Sequence, residues 1–181
     1  MDSEIQKSID EFMSRTKYTE FTAEVLNGIP DNKIEQAIID YIFEQVIGDD
    51  WEKEYDKVKS LSLGFQYVFA TWTLEGEVNN GGFNQYFYNS TGQFAEEAYN
   101  GYLAFGSKEM AEIVNGAVEC LFDEIELFKK TKAAGTLESF MESYEESDLD
   151  IWDDKFYDCS DDLSKLRLKY IRENIKEFVT N

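Results

Sequence analysis

The stretch that decides the fold is Ile113–Phe128, IVNGAVECLFDEIELF, in which Ile113, Val114, Ala117, Val118, Leu121, Phe122, Ile125 and Phe128 recur in steps of three and one. Such steps return to one side of a 3.6-residue turn, so the run reads as an amphipathic α-helix. The same spacing continues upstream. Ile5, Ile9, Phe12 and Met13 share a face. After Gly28-Ile29-Pro30-Asp31 comes a run with Ile34, Ile38, Tyr41, Ile42 and Val46, widened by Ile39, Phe43 and Ile47. Pro30 suits the first turn of that helix, and the broad stripe predicts a central, fully buried element. Leu61, Phe65, Val68, Phe69 and Trp72 repeat until Asn79-Asn80-Gly81-Gly82 stops the pattern, and Phe83 opens a new short aromatic element.

Downstream, glycines bound a helix with Phe94, Ala95, Ala98, Tyr102, Leu103 and Phe105 between Gly92 and Gly106. Leu137, Phe140, Met141 and Tyr144 give a further face, and Leu163, Leu166, Tyr170, Ile171, Ile175 and Phe178 a terminal helix. No two-residue alternation or hairpin turn stands out. The expectation is an all-α fold: a single compact multi-helix domain with an aromatic-rich core, residues 1–30 forming an N-terminal helical extension and 31–181 the main body. A boundary near Asp49-Asp50 would leave a hairpin too short to bury its own face.

Charge narrows the function. The chain has 38 acidic against 17 basic residues, a formal net charge of -21, and no histidine. Self-repulsion on that scale opposes folding, and 43% hydrophobic with 15% aromatic residues supplies the burial that offsets it. A domain of this length buries about 70% of its unfolded surface without a disulfide or metal. The same charge repels nucleic acid and anionic lipid, so direct binding to either is not expected. The N-terminus Met1-Asp2-Ser3-Glu4-Ile5 has no basic leader and no apolar stretch spans a bilayer, which predicts a cytoplasmic protein. Cys120 and Cys159 occur in no CxxC pattern and read as reduced structural thiols.

No cofactor, metal or catalytic residue is expected. Absence of histidine removes the usual base of nucleophile systems, and no GxSxG, Walker or dinucleotide loop compensates. Counting an EF-hand loop from Asp148 puts Trp152, Asp153 and Cys159 at its fifth, sixth and twelfth positions, where an oxygen ligand, glycine and glutamate are needed. The enzymatic alternative is a carboxylate hydrolase using Glu75 or Glu77, distinguished by whether those side chains line a pocket or face solvent.

The acidity has a location. Ten acids between Glu142 and Asp162 are opposed only by Lys155, whereas the following helix carries Lys165, Arg167, Lys169, Arg172 and Lys176. A weaker concentration runs from Glu44 through Asp49, Asp50, Glu52 and Glu54 to Asp56, relieved by Lys53 and Lys57. Glu138, Glu142, Glu145 and Glu146 fall opposite the Leu137, Phe140, Met141, Tyr144 stripe, so their carboxylates are expected to project together, and Asp148, Asp150, Asp153 and Asp154 extend the row. Carboxylates spaced like backbone phosphates suit the basic face that a protein presents to DNA. Ile151, Trp152, Phe156 and Tyr157, beside this row, read first as core and second as a homodimer or partner contact.

Residues 71–89, TWTLEGEVNNGGFNQYFYN, carry a resemblance. The run is similar to the signature of a bacterial family that includes a described DNA-mimic protein, on Trp72, Gly76, Glu77, Asn79, Asn80, Gly81, Gly82, Phe83, Gln85, Tyr86 and Phe87. The similarity extends more loosely from about Ile34 to the terminal helix, including Tyr170-Ile171. It implies an all-helical fold and binding to the DNA-binding face of a transcriptional repressor or other basic protein in place of DNA. The signature residues are expected to mark the fold, leaving mimicry to the surface acids. An immunity or antitoxin-like inhibitor of a cationic nuclease would use the same field.

Overall fold

The computed structural model describes residues 3–145 and 147–180, apart from the side chains of residues 3, 4, 8 and 11. Among them eleven α-helices and no strand occur, as the helical spacing predicts. In chain order these are α1 Ser3–Met13, α2 Ala23–Gly28, α3 Asp31–Tyr41, α4 Glu54–Lys59, α5 Leu63–Tyr88, α6 Ala95–Phe105, α7 Lys108–Asp123, α8 Ile125–Ala134, α9 Leu137–Glu145, α10 Asp150–Asp158 and α11 Leu163–Glu173. A π-helix, Ile42–Ile47, continues α3, and 3-10 turns occupy Trp51–Lys53, Ser90–Phe94 and Ile175–Phe178.

The central position belongs to α5, where the α3 stripe had suggested otherwise. It packs on α3, α4, α6, α10 and the C-terminal 3-10 turn. Phe65, Val68, Phe69, Ala70, Leu74 and Val78 bury around it, an all-round apolar pattern that removes the helix from solvent. The hydrophobic core runs from Phe21 to Phe178 and is knitted by rings at contact distance, among them Phe21–Tyr41 at 5.1 Å, Phe69–Phe94 at 5.2 Å and Phe65–Phe178 at 5.3 Å between centroids.

The pattern break at Asn79-Asn80-Gly81-Gly82 is a kink inside α5. Gly82 has φ +70°, which glycine adopts without a side-chain penalty, and a Cβ there would meet the Asp153 carboxylate. The helix resumes at Phe83, the aromatic element expected from sequence.

Four of the predicted helical stretches depart from the apolar pattern. The run Ile113–Phe128 divides at Asp123–Glu124, where the Glu124 carboxylate accepts from the Ser147 hydroxyl at 2.5 Å and the Asp148 backbone N–H at 2.8 Å. Phe122 is left exposed at that break. In α9 the buried face is Ser139 and Ser143, while Leu137, Met141 and Tyr144 are exposed. The Ser143 hydroxyl donates to Asn84 Oδ1 at 3.0 Å and half-buried Phe140 packs on Tyr88 at 4.7 Å between centroids, so hydrogen bonding together with one ring of the stripe seats this helix. In α1 the apolar face of Ile5, Ile9, Phe12 and Met13 is likewise exposed. The apolar group on α10 splits: Phe156 is buried and Trp152 half-buried, while Ile151 and Tyr157 face outward.

Candidate functional site

Two regions of this fold are candidates for a site: the acid-rich stretch of α9 and α10, and an open cleft beside the α5 kink.

On the acidic face, Glu138, Glu145, Asp148, Asp150 and Asp154 are exposed and form no ion pair among the described residues. Glu142 is half-buried and pairs with Lys130 at 2.9 Å. Asp153 is drawn inward, its Oδ1 accepting the Phe83 backbone N–H at 2.7 Å. Burial raises the Asp153 carboxyl above its ordinary range, reinforced by Asp150 and Asp154 although the Phe83 N–H opposes the shift. Glu146 lies outside the described residues. Of the expected row, five carboxylates are therefore free among the described residues, and Leu137, Met141, Ile151 and Tyr157 of the same two helices are exposed. Lys155 lies 3.5 Å from the centroid of the Trp152 ring, stacked upon it.

Many cations are paired with acids outside α9 and α10. Arg15 pairs with Asp40 at 2.5 Å, Arg172 with Asp31 at 2.7 Å, Lys17 with Glu44 and Lys59 with Glu97. Arg167, which its sequence neighbours suggested was part of a basic surface, is 1% exposed. Its guanidinium reaches both oxygens of Glu75, at 2.8 and 3.0 Å, and donates to Glu35 Oε2 at 2.8 Å and Thr71 Oγ1 at 3.0 Å. The Tyr102 hydroxyl adds a bond to Glu75 Oε1 at 3.0 Å. Glu75 is committed to this network, a structural role that neither its position nor that of Arg167 discloses in sequence.

The cleft has a volume of about 710 Å³ and is walled by Phe43 of the π-helix, Trp51, Glu54, Trp72, Glu77, Asn80, Gln85 and the Asn89–Thr91 segment. The signature residues divide here. Gly82, Phe83, Tyr86 and Phe87 are buried. Asn79, exposed, donates from Nδ2 to the Glu75 carbonyl at 2.7 Å, and Gly81 accepts from the Tyr144 hydroxyl at 2.6 Å. Trp72, Gly76, Glu77, Asn80 and Gln85 instead line the cleft. Glu77 Oε2 accepts from Gln85 Nε2 at 2.6 Å and Asn89 Nδ2 at 2.8 Å, while Asn80 Nδ2 donates to Gln85 Oε1 at 3.0 Å. Of the two carboxylates considered for hydrolysis, Glu77 thus lines this cleft, and Glu75 borders a smaller one of about 310 Å³ while held by Arg167. Sequence reading did not single out Phe43, Trp51 or Glu54 for this site; only the π-helix and the turn after it bring them opposite α5.

The thiols sit apart from each other as free cysteines. Burial, with Glu124 beside it, pushes the Cys120 thiol up to about 12, far from a reactive thiolate. Among the described residues the ligand-type atoms that converge within 4.8 Å belong to Glu109, Cys159 and Asp161, not to the aspartates of the 148–154 stretch. Asp161 is already engaged there, accepting from the Ser107 hydroxyl at 2.5 Å. No helix among the described residues is long and apolar enough to cross a membrane.

No curated protein and no solved structure matches the chain. Comparison with protein families matches residues 59–174 to the DMP19-like proteins, a narrower span than the resemblance that began near Ile34. The matched span holds the kinked α5, both acidic helices and Arg167, though not Phe43, Trp51 or Glu54 of the cleft, and it covers more than half of the sequence, so the chain belongs to the DMP19-like protein family.

Proposed function

We propose that this protein is a DNA mimic: the free carboxylates of α9 and α10 occupy the DNA-binding face of a basic protein, such as a transcriptional repressor, and exclude its operator. One observation carries the reading. Glu138, Glu145, Asp148, Asp150 and Asp154 stay exposed and unpaired in a protein whose arginines are tied to acids elsewhere. Membership of the DMP19-like family supports it. The activity is binding and not catalysis, since the carboxylates need only hold a basic surface that would otherwise hold phosphates. Association is fast, steered by the field, and weakens steeply with salt.

The test captures partners from host lysate on the immobilised chain at low salt, then measures whether a captured DNA-binding protein releases its operator duplex when the chain is added. Glu142 and Asp153 have structural duties, so the surface variant is Glu138→Gln, Glu145→Gln, Asp150→Asn and Asp154→Asn. It keeps the melting temperature and loses competition by roughly tenfold or more, as removal of several charge contacts requires. Competition undiminished by the four changes rules this surface out. Capture of a cationic nuclease whose cleavage is blocked would assign the same face to an immunity role.

A further inference from the structure

The cleft beside the kink has a composition that the acidic face does not explain. Glu54 is 3% exposed, yet its carboxylate has one partner among the described residues, the Ser90 hydroxyl at 3.0 Å on Oε2. Glu77 likewise spends Oε2 on two amides and leaves Oε1 without a protein donor among the described residues. Neither forms an ion pair among the described residues, although each of the three arginines pairs with an acid elsewhere. A desolvated carboxylate without a cation is costly, and the same carboxylate is a strong acceptor once a cation arrives. Burial raises the Glu54 carboxyl above its ordinary range, in line with that shortage.

The cleft also has aromatic walls. Trp51 is 56% exposed and packs on Phe43 at 5.9 Å between centroids, and Phe43 meets Trp72 at 6.1 Å. An exposed indole at the mouth of a pocket is unfavourable by itself and is the best aromatic surface for a cation. Phe43 belongs to the π-helix, a geometry that keeps a widened turn where a site needs its side chains re-aimed.

We propose that this cleft is a binding site for an organic cation, a guanidinium or ammonium group held between the Glu54 and Glu77 carboxylates and stacked on the Trp51 and Trp72 rings. Its volume lies in the range of ligand pockets, and the net charge of -21 raises the local concentration of any cation. A neutral ligand of the same shape gains nothing from either the field or the unpaired oxygens. The site does not depend on the DNA-mimic reading: the cation is either a basic side chain of a protein or a free amine.

The experiment follows the three indole N–H signals of the full chain by nitrogen–proton NMR, with Trp152 on α10 as the internal reporter of the acidic face. Three probes are titrated: N-acetyl-arginine methylamide, its uncharged citrulline counterpart, and spermidine. The arginine probe, spermidine or both shift Trp51 and Trp72 saturably, and citrulline does not. The tighter of the two cations identifies the source. Glu77→Gln, which keeps an oxygen for Gln85 and Asn89, weakens binding by roughly tenfold, as does Trp51→Ala at an exposed position. Glu138→Gln with Glu145→Gln changes it by less than about twofold, as expected for exposed, salt-screened charges that do not line the cleft. Equal shifts with citrulline, no saturable shift at Trp51, a response confined to Trp152, or undiminished binding in Glu77→Gln each overturns the site.

Discussion

Asp153 and Phe83 lie 70 residues apart, and the aspartate Oδ1 accepts the Phe83 backbone N–H at 2.7 Å where α5 restarts after its glycine kink. One carboxylate from the acidic stretch therefore caps the central helix, and the surface face and the core are joined at this bond. Removing the acceptor in Asp153→Ala lowers stability by about 1–2 kcal/mol, the usual cost of losing an N-terminal cap. Asp153→Asn keeps an oxygen for the N–H and loses less. Urea denaturation of the two variants checks the order, and equal losses would mean that charge, not the cap, carries the effect.

Arg167 predicts a larger effect. Arg167→Met leaves Glu75 and Glu35 without the guanidinium that holds them, and breaking a buried ion pair from one side costs about 3–5 kcal/mol. Arg167→Lys does not restore it, because a single ammonium cannot span both oxygens of Glu75 and also reach Glu35 and Thr71. A lysine variant that melts with the wild type would refute the bidentate account.

At Gly116 the sign of a familiar substitution reverses. Glycine to alanine inside a helix normally stabilises by about 0.5–1 kcal/mol. Here an added Cβ would collide with the Trp152 ring, whose six-membered end reaches the bare backbone of α7. Gly116→Ala is therefore destabilising, and the pair Gly116→Ala with Trp152→Leu recovers part of the loss. A calorimetric comparison of both variants settles it, with a melting temperature raised by Gly116→Ala alone as the opposing result.

Glu54 gives a pH dependence with a definite direction. Burial raises its folded pKa, with the Ser90 hydroxyl pulling the other way. Its contribution to stability is thus fully present below the ordinary carboxylate pKa and is lost as pH rises through the raised value. Glu54→Gln does not titrate and still offers Ser90 an oxygen. Its melting temperature relative to the wild type climbs as pH rises from below to above the ordinary carboxylate pKa, and a flat difference across that rise would show a fully solvated carboxylate.

Helix content was legible along the chain because a buried stripe repeats with the 3.6-residue turn, and the glycine pair at 81–82 announced its break. The side that each helix presents was less so. In α9 the residues that face inward are two serines, chosen by the Asn84 amide and by local hydroxyl bonds that no hydropathy pattern reveals. The acid-rich stretch was visible, but the division of its members was not: Asp153 and Asp154 are adjacent, and one caps α5 while the other is exposed.

By itself the sequence determined an all-helical, strongly acidic protein with its carboxylate excess between Glu142 and Asp162, since periodicity and composition are properties of the chain. Only the tertiary structure decided which charges remain available. Arg167 is 1% exposed because Glu35, Glu75 and Thr71 converge on it from α3 and α5, and Glu54 and Glu77 share a cleft because the π-helix and the turn at Trp51 swing back against the kinked helix. Long-range pairing consumes a charge or leaves it free, and residues far apart in sequence carry no local trace of which outcome they meet.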